Sequence, residues 1–375
     1  MRQNRTVIIA VTALFLVATS PASAQGGACA GAKYSDSHFH LTNYIQEGTP
    51  VKDYVRMMGS TVCRSTLFGI PLQQEWSYGN SGSFAPTYYL QSDAPLYYYS
   101  FTDAFIAMAY KSLPADQQAR LDPMITGFNP ADMYAADHIR RVLLTFPGVF
   151  SGIGEFSIHK EFVSSKIAGG PASLTNPALD RLLDFAGEVG LVAILHNDLN
   201  MPFPKAGQDA YLLPQLRAVL ERHPNTTIIW AHVGLGRIVR PVKDQLALLD
   251  VALSDPKVAH VYIDISWDET AKYITSSPEA VAATAALINK YPDRFLFGSD
   301  VVAPASLDAP MAVYNAYQPL WNALTPEASQ KVRMGNYQRL FDAARVSVRA
   351  WEKANVGKAQ PVPAPTPSSG AGVTP

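Results

Sequence analysis

The fold is decided by the stretch Asn176-Pro-Ala-Leu-Asp-Arg-Leu-Leu-Asp-Phe-Ala-Gly-Glu-Val189 and by the run Val192-Ala-Ile-Leu-His196 that follows it. In the first part, apolar side chains recur at three- and four-residue spacing, so Leu179, Leu182 and Leu183 fall on one face of a predicted helix. The second part is a short apolar run that ends in a polar residue, which is typical of a buried strand. Together they predict one helix–strand unit of an α/β fold.

The same alternation continues in both directions along the chain. Candidate strands lie at Tyr34–His40, Ser65–Ile70, Met124–Phe128, Phe150–Phe156, Val192–His196, Thr227–His232, Val261–Ser266 and Arg294–Ser299. Further predicted helices cover residues 130–145, 211–222, 241–253, 278–290 and 326–350. This repeat predicts an α/β (β/α)8 TIM barrel over residues 34–350 as a single domain, with an open doubly wound sheet as the alternative. The sequence contains no G-x-G-x-x-G, Walker A or G-x-S-x-G motif that would favour a nucleotide-binding or serine-hydrolase fold.

Three segments stand apart from the repeat. Residues 1–24 have basic residues, an apolar run over 7–18 that is too short to span a membrane, and Ala22-Ser-Ala24, so we expect a cleaved signal peptide, secretion to the periplasm and no stable membrane insertion. Residues 356–375 are rich in proline, serine and glycine and predict a disordered tail. The tyrosine-rich insertion over 71–99 predicts an aromatic lid-like loop, or else a cover for the flank of the barrel.

Composition excludes several classes of protein. The chain has 375 residues, of which 48% are hydrophobic and 16% charged, so most of it is expected to fold around an ordinary core. The formal net charge of −1 argues against a nucleic-acid partner, because phosphate-backbone binding needs a basic surface. Two cysteines are too few for a disulfide scaffold or a cysteine-built zinc site.

Histidines and carboxylates occur at the carboxyl ends of five candidate strands. His38 and His40 are two residues apart, so the period-two alternation of a strand puts both imidazoles on one face. The other strand ends carry Glu155, His196, His232 and Asp300. The carboxyl ends of all strands meet at one face of a TIM barrel, and this is where such barrels carry their active sites. We therefore expect these side chains to converge on one cavity.

Four histidines and two carboxylates around one cavity suit a borderline divalent cation. Zn²⁺ fits best, with Mn²⁺, Fe²⁺ or Co²⁺ as alternatives. Six groups exceed one tetrahedral site, so they predict either two ions bridged by a carboxylate, or one ion with two groups left as acid and base. Asp36 is interpreted as supporting a ligand or as a residue of the strand start, and Asp264 as structural.

These residues resemble the metal-dependent amidohydrolase superfamily. The resemblance rests on Asp36-Ser-His38-Phe-His40, Glu155, His196, His232 and Gly298-Ser-Asp300. Phe297-Gly-Ser-Asp300 with Pro304, and Gly335-Asn-Tyr-Gln-Arg-Leu-Phe341, are similar to the amidohydrolase-related branch, which includes aminocarboxymuconate-semialdehyde decarboxylase and pyrone-dicarboxylate lactonase. The resemblance spans about residues 34–345, and its motifs are specific for fold and metal rather than for substrate.

The resemblance implies a role for each position. His38 and His40 would bind the first metal with Asp300, whose carboxylate would also take the proton from an attacking water. His196 would be a further ligand, and His232 would bind a second metal or polarise the substrate. The decarboxylase-like members lack a strand-four carboxylate ligand, whereas the hydrolytic relatives use a strand-four group to bridge two metals. Glu155 therefore favours hydrolysis and a second metal.

The leading hypothesis is a secreted metal-dependent hydrolase that opens an ester, lactone or amide bond in a small organic substrate. The alternative is a metal-dependent decarboxylase of an unsaturated or aromatic acid, which would need cations at the mouth of the barrel. Lys160, Arg237 and Arg240 are candidates for this role, or else solvated loop charges. A non-catalytic metal- or ligand-binding periplasmic protein is a third possibility, which the set of acid, base and ligands disfavours.

Two further expectations concern single positions. His159, Arg237 and Tyr97 are predicted to contact the substrate, and the tyrosines of the insertion suggest an apolar or aromatic one. Cys29 and Cys63 precede adjacent strands, so both lie at the bottom of the predicted barrel, and we expect a disulfide between them in an oxidising compartment.

Overall fold

The computed structural model describes residues 29–43, 46–70, 99–161, 163–164 and 172–358, together with positions 78, 82–83 and 95. The predicted signal peptide, the tail from residue 359 and most of the insertion over 71–99, including Tyr97, lie outside the described residues. In the described part of the chain, none of the helices combines the length and the apolar character needed to cross a membrane.

The centre of the molecule is an eight-stranded, wholly parallel sheet. In chain order its strands are β1 (Tyr34–Asp36), β3 (Val62–Leu67), β4 (Leu121–Ile125), β5 (Gly152–His159), β6 (Val192–Asn197), β7 (Ile228–Trp230), β8 (Val261–Asp264) and β9 (Phe295–Leu296), and each pairs with the next. Two short strands, β2 (Phe39–His40) and β10 (Val301–Val302), pair with each other in parallel. The sheet and its order agree with the strand–helix repeat in the sequence.

The two edges of this sheet approach each other. The backbone N–H of Ser37, just after β1, donates to the carbonyl oxygen of Phe297, just after β9, at 3.0 Å. The β2–β10 pair adds a second link between the first and last strand segments, with Val301 opposite Phe39. A parallel sheet that curls until its edges meet is consistent with the predicted (β/α)8 barrel.

Helices cover the outside of the sheet. They are α1 (Val51–Met58), α2 (Thr102–Lys111), α3 (Ala115–Gln118), α4 (Ala135–Thr145), α5 (Pro177–Val189), α6 (Leu213–Arg222), α7 (Gln245–Ser254), α8 (Asp268–Ile274), α9 (Pro278–Lys290), α10 (Asp308–Ala316), α11 (Gln318–Ala323), α12 (Pro326–Gln330) and α13 (Asn336–Asn355). Short 3₁₀ turns occur at Tyr99–Phe101, Ala231–Gly234 and Pro256–Val258, and a π turn at Lys331–Gly335 joins α12 to α13. The predicted helix over 326–350 is therefore two helices with a π turn between them.

Helix α5 shows how local sequence sets these boundaries. The Asn176 side chain accepts the backbone N–H of Ala178 at 2.9 Å, and Pro177 fills the first turn, where no N–H is needed. Gly190 ends the helix in the left-handed conformation at φ +80°, which glycine adopts without steric cost. The predicted apolar face, with Leu179 and Leu182, is buried. Burying each such leucine stabilises the fold by about 1.5–3 kcal/mol.

The first predicted strand is interrupted. Sequence periodicity gives one strand over Tyr34–His40, whereas the structure has β1 and β2 with Ser37 and His38 between them. The Asp36 carboxylate explains the break, because it accepts the backbone N–H of His38 at 3.0 Å. The two imidazoles nevertheless remain together, with ring centroids 5.4 Å apart.

The predicted disulfide is present. Cys29 and Cys63 are bonded, with their Cα atoms 4.6 Å apart, at the amino-terminal end of β3. Both cysteines lie at the end of the barrel opposite the predicted site. In the same lower half, the buried Asp122 accepts hydrogen bonds from Arg64, from Arg345 and from the Tyr337 hydroxyl, and so ties β3 and β4 to α13.

Candidate metal centre

Four of the six predicted ligands converge at the carboxyl ends of the strands. His38, Glu155, His232 and Asp300 each place one nitrogen or oxygen atom so that these atoms all lie within 4.8 Å of one another. His38, Glu155 and His232 are buried, and Asp300 is partly buried, with its side chain 8% exposed. They come from the loop after β1, from β5, from the turn after β7 and from the loop after β9. Residues far apart in sequence thus form one small cluster.

His40 and His196 stand on opposite sides of this cluster. The Nε2 atom of His40 lies 3.1 Å from Asp300 Oδ1 and 3.8 Å from Glu155 Oε2. His196 contacts the other oxygen of the glutamate, with its Nδ1 atom 2.6 Å from Glu155 Oε1. All six predicted ligands are therefore in one connected group, with Glu155 between the two histidines.

The ring nitrogens that point away from the cluster contact protein groups. These outer contacts are His38 Nδ1 to Asp264 Oδ2 at 2.8 Å, His40 Nδ1 to the Gly69 carbonyl at 2.9 Å, His196 Nε2 to Asp198 Oδ1 at 3.1 Å and His232 Nδ1 to Ser266 Oγ at 3.0 Å. A hydrogen bond on the far nitrogen fixes the ring and its tautomer, which is the usual environment of a metal-binding histidine. Each imidazole thus presents its remaining nitrogen to the cluster.

The donor set fits a divalent metal. Among the described residues, the Nε2 atoms of His38 and His232 are buried without a hydrogen-bond partner, and both belong to the cluster. A buried unpaired nitrogen costs free energy unless another group satisfies it. Imidazole nitrogens combined with carboxylate oxygens are ligands suited to Zn²⁺ and similar ions. The cluster is therefore a candidate metal centre.

The surroundings keep the two carboxyl groups ionised. Burial alone would raise the pKa of Glu155, but the Lys160 ammonium and the hydrogen bond with His196 hold that pKa well below its usual range. Burial would also raise the pKa of Asp300, but His38 and His232 lower it instead. Two buried negative charges at neutral pH attract a cation to the space between them.

The histidines respond to the same charges. Burial would lower the pKa of His38, yet Asp300 and Asp264 raise this pKa well above its ordinary value. The pKa of His232 is lowered, because burial outweighs the attraction of Asp300. An imidazole must lose its proton before it can bind a metal, so a metal and a proton compete for His38.

Asp264 is not a purely structural residue, contrary to the sequence interpretation. Its Oδ2 atom contacts His38 Nδ1 and accepts the Ser266 hydroxyl at 2.7 Å, and Ser266 Oγ is in turn 3.0 Å from His232 Nδ1. One carboxylate thus orients two candidate ligands. The strand register hid this role, because Asp264 reaches His38 from behind rather than pointing into the cavity.

Asp36 supports the site through the backbone. Its carboxylate accepts the N–H groups of His38 and Ser299, at 3.0 and 2.9 Å, and the hydroxyls of Ser299 and Tyr314. Gly298 fits against this arrangement, because a Cβ atom there would lie 2.6 Å from the His38 nitrogen. The Gly298-Ser-Asp300 motif is thereby packed directly against the segment that carries His38.

The residues predicted to contact substrate are distributed around the mouth. His159 ends β5 and is half-buried, and Arg237 is 62% exposed. The Arg237 guanidinium lies 4.9 Å from the centre of the Trp267 ring, which in turn lies 4.9 Å from the His232 ring. Lys160 does not point into solvent but contacts Glu155, at 3.1 and 3.3 Å.

A cleft of about 500 Å³, here called the basic cleft, adjoins this mouth. It is formed by the loops that follow β6 and β7, and its lining includes Arg237, Arg240, Lys243, Met201 and Phe203. All five side chains are exposed. Asp209 also lines the cleft, which therefore combines three cations and one carboxylate with apolar surface.

Sequence reasoning missed the residues that act through the predicted ligands. Asp198, Asp264 and Ser266 all contact the far nitrogens of the histidines predicted as ligands, or each other. Asp198 could have been found, because it follows His196 by two residues in a segment that continues from the strand. No sequence pattern pointed to Trp267, because its contact with His232 depends on the turn after β8.

Comparisons with known proteins agree with this geometry. A family model described as amidohydrolase matches residues 35–343. Among solved structures, a Pseudomonas putida protein named as a candidate 2-pyrone-4,6-dicarboxylic acid hydrolase is 16% identical with a TM-score of 0.51, covering 83% of this chain and 98% of that one. An uncharacterized TIM-barrel protein from Bordetella bronchiseptica is 15% identical with a TM-score of 0.51, covering 83% and 99%. No curated protein matches the chain. The family model covers most of the sequence, so the chain belongs to the amidohydrolase family and is an enzyme of the amidohydrolase type.

Proposed function

We propose that the protein is a metal-dependent hydrolase that opens an ester, lactone or amide bond in a small organic substrate, with Zn²⁺ as the ion its ligands suit best. One observation carries the proposal: His38, Glu155, His232 and Asp300 converge within 4.8 Å, and two of their nitrogens are buried without a partner. Ions of this kind take three or more such ligands in hydrolytic sites. His40 and His196 adjoin these four residues, in contact with Asp300 and Glu155.

The chemistry divides between the ion and the chain. A divalent metal held by these residues supplies Lewis acidity, which polarises a carbonyl and makes water a better proton donor. Asp300 accepts the proton of the attacking water, because its lowered pKa keeps it ionised and its side chain still reaches solvent at 8% exposure. Asp300 then returns the proton to the leaving group. His232, held by Ser266, orients the carbonyl of the substrate.

The basic cleft supports an anionic substrate with an aromatic or apolar body. Arg237 and Arg240 provide charge-assisted hydrogen bonds for a carboxylate, and Phe203 provides apolar contact. Arg237 also connects the cleft to the metal centre through Trp267, which touches both Arg237 and His232. A carboxylate held in the cleft would place the rest of a small molecule near the cluster.

Metal analysis coupled to a substrate panel tests the hydrolase. The protein is purified without added metal, its metal content is measured, and ester, lactone and amide compounds with and without a carboxylate are assayed. 2-Pyrone-4,6-dicarboxylate belongs in the panel, because it appears in the name of the Pseudomonas putida protein. We expect hydrolysis that requires a transition metal, and His38→Ala should lose both metal and activity. Full activity in folded, metal-free protein would refute the proposal.

A decarboxylase is the second candidate. The cations of the basic cleft favour a decarboxylase, because the substrate of such an enzyme carries a carboxylate that these cations can bind. The same panel separates the two reactions. Release of CO₂ from aromatic or unsaturated acids, without cleavage of any ester, lactone or amide, would replace the hydrolase by a lyase.

We further propose export to an oxidising compartment such as the periplasm. The Cys29–Cys63 disulfide supports this location, since such bonds persist mainly outside the reducing cytosol. Cell fractionation and amino-terminal sequencing test it, and a mature chain that begins at Gln25 is expected. Full-length protein in the cytosol, with both thiols reduced, would contradict it.

A further inference from the structure

The proposed function leaves open how many ions the centre holds, and Lys160 bears on this number. Its ammonium lies 3.1 Å from Glu155 Oε1 and 3.3 Å from Glu155 Oε2, so it contacts both oxygens of the carboxylate. The lysine side chain is only 14% exposed and the glutamate 1%. A lysine ammonium is a compact point charge on a flexible stem. The contact is therefore a buried ion pair inside the candidate metal centre.

The two oxygens of Glu155 face different neighbours. Oε2 faces the histidines of the first strand segment, 3.6 Å from His38 Nε2 and 3.8 Å from His40 Nε2. Oε1 faces His196 Nδ1 at 2.6 Å and His232 Nε2 at 3.5 Å. Two ligands on one tetrahedral zinc ion, with bonds of about 2.0–2.2 Å, lie about 3.3–3.6 Å apart. The Glu155–His196 separation is shorter and is that of a direct hydrogen bond, and the Lys160 ammonium contacts the same oxygen.

We propose that Lys160 serves as the second cation of this centre, so that the enzyme binds a single divalent ion, on the side of Glu155 that faces His38, His40 and Asp300. This inference rests on the proposed metal-dependent function. The Lys160 ammonium balances the charge of Glu155 that a bridging ion would otherwise balance, and it repels a second divalent ion from the Oε1 side. Lys160 is a positioning residue, because it acts through Glu155 and His196.

Charge and position both support this assignment. Glu155 and Asp300 lie within the centre, and Asp264 and Asp198 lie behind His38 and His196. Glu155 is the carboxylate that Lys160 contacts, so the ammonium opposes a second divalent ion at the place where that ion would use Glu155. Lys160 also follows Glu155 by five residues, so β5 and the turn at its end provide both the carboxylate and the cation.

The test is the number of ions bound by the full-length protein. Metal-free wild type, Lys160→Met and the charge-conserving control Lys160→Arg are titrated with Zn²⁺ alone, and the bound metal is measured after gel filtration. We expect one equivalent in wild type and in Lys160→Arg, and two in Lys160→Met. The second ion should bind at least about 100-fold more tightly in Lys160→Met than in wild type, because a unit charge in contact with the same carboxylate has been removed.

Manganese provides a spectroscopic measurement of where the second ion binds. With Mn²⁺ as the probe, wild type should give the electron paramagnetic resonance spectrum of an isolated ion, and Lys160→Met the spectrum of two exchange-coupled ions. An uncoupled second ion in Lys160→Met would lie elsewhere on the protein and would overturn the inference. Circular dichroism checks folding, and Lys160→Gln replaces Lys160→Met if the methionine variant does not fold.

The outcomes separate the two proposals. Wild type that binds no metal would refute the metal-dependent function itself. Two ions in wild type, one ion in folded Lys160→Met, or two ions in Lys160→Arg would each overturn the role of Lys160 while leaving the metal-dependent function in place.

Discussion

Replacing Asp264 by asparagine should weaken metal binding without removing any ligand. Asp264 Oδ2 contacts His38 Nδ1 at 2.8 Å and accepts the Ser266 hydroxyl, while Oδ1 accepts the Ser266 backbone N–H at 2.7 Å. Both oxygens thus act as acceptors. Asparagine has the same shape but only one acceptor atom, so either orientation of its amide brings an N–H₂ group against another donor.

The size of the effect follows from the number of ligands involved. Loss of a hydrogen-bond partner behind a ligand histidine typically costs 10- to 100-fold in metal affinity. Asp264 supports His38 directly and His232 through Ser266, so we expect a loss near the upper limit, about 100-fold or about 2.7 kcal/mol. Ser266→Ala removes the hydroxyl that contacts His232 and Asp264 but leaves the contact between Asp264 and His38, so it should cost about 10-fold.

Zn²⁺ affinity is measured by competition with a chelator of known strength, at fixed pH and ionic strength. Asp293→Asn is the matched control, because it makes the same chemical change at an exposed aspartate, 56% accessible, that pairs with Lys331. This control should bind Zn²⁺ as wild type does. Urea unfolding of the metal-free proteins shows whether Asp264→Asn also changes the stability of the fold.

An Asp264→Asn protein whose Zn²⁺ affinity stays within about twofold of wild type would contradict this role of Asp264. If that protein were also less stable in its metal-free form, Asp264 would be a structural residue of the core, as its place in the strand pattern first indicated. A loss in affinity for Ser266→Ala equal to that for Asp264→Asn would instead assign the whole effect to His232.

Three further predictions concern stability and substrate. Burial would raise the pKa of Asp122, but Arg64 and Arg345 lower it, so the ionised carboxylate adds stability that is fully present above the unfolded pKa of about 3.9. This stability is lost as the pH falls through the lower folded pKa. Asp122→Asn should therefore cost about 3–5 kcal/mol at pH 7 in urea unfolding, and a difference from wild type that stayed constant down to pH 2 would contradict this. The Cys29–Cys63 bond joins residues 34 positions apart, so its reduction should lower the free energy of unfolding by about 4 kcal/mol, and an unfolding curve unaffected by reductant would show that the bond is absent. Arg237→Gln should raise KM about 10-fold for substrates with a carboxylate and leave the KM for neutral esters unchanged, because Arg237 is exposed and contributes a charge-assisted hydrogen bond to the anion. An equal change in KM for the two classes of substrate would mean that Arg237 does not bind the carboxylate.

The sequence determined the strand–helix repeat and where the predicted ligands fall within it. Apolar periodicity and helix signals are local, so α9 (Pro278–Lys290) has the predicted bounds and α5 differs only by its capping residue. The parallel order of the sheet then brings the ends of its strands to one face, and this is why Glu155 and His232 meet although 77 positions separate them. The disulfide followed from the same register.

Tertiary structure alone decided which groups act on the ligands. Asp264, at the end of β8, contacts His38, which follows β1, and the Lys160 side chain turns back to Glu155. The spacing of the strands along the sequence predicts neither contact. Side-chain direction at the end of a strand depends on the turn that follows and on the packing of neighbouring strands, which periodicity does not describe. The residue types and their order along the chain thus predict a metal centre, while the charges and hydrogen bonds that tune it depend on contacts between segments distant in sequence.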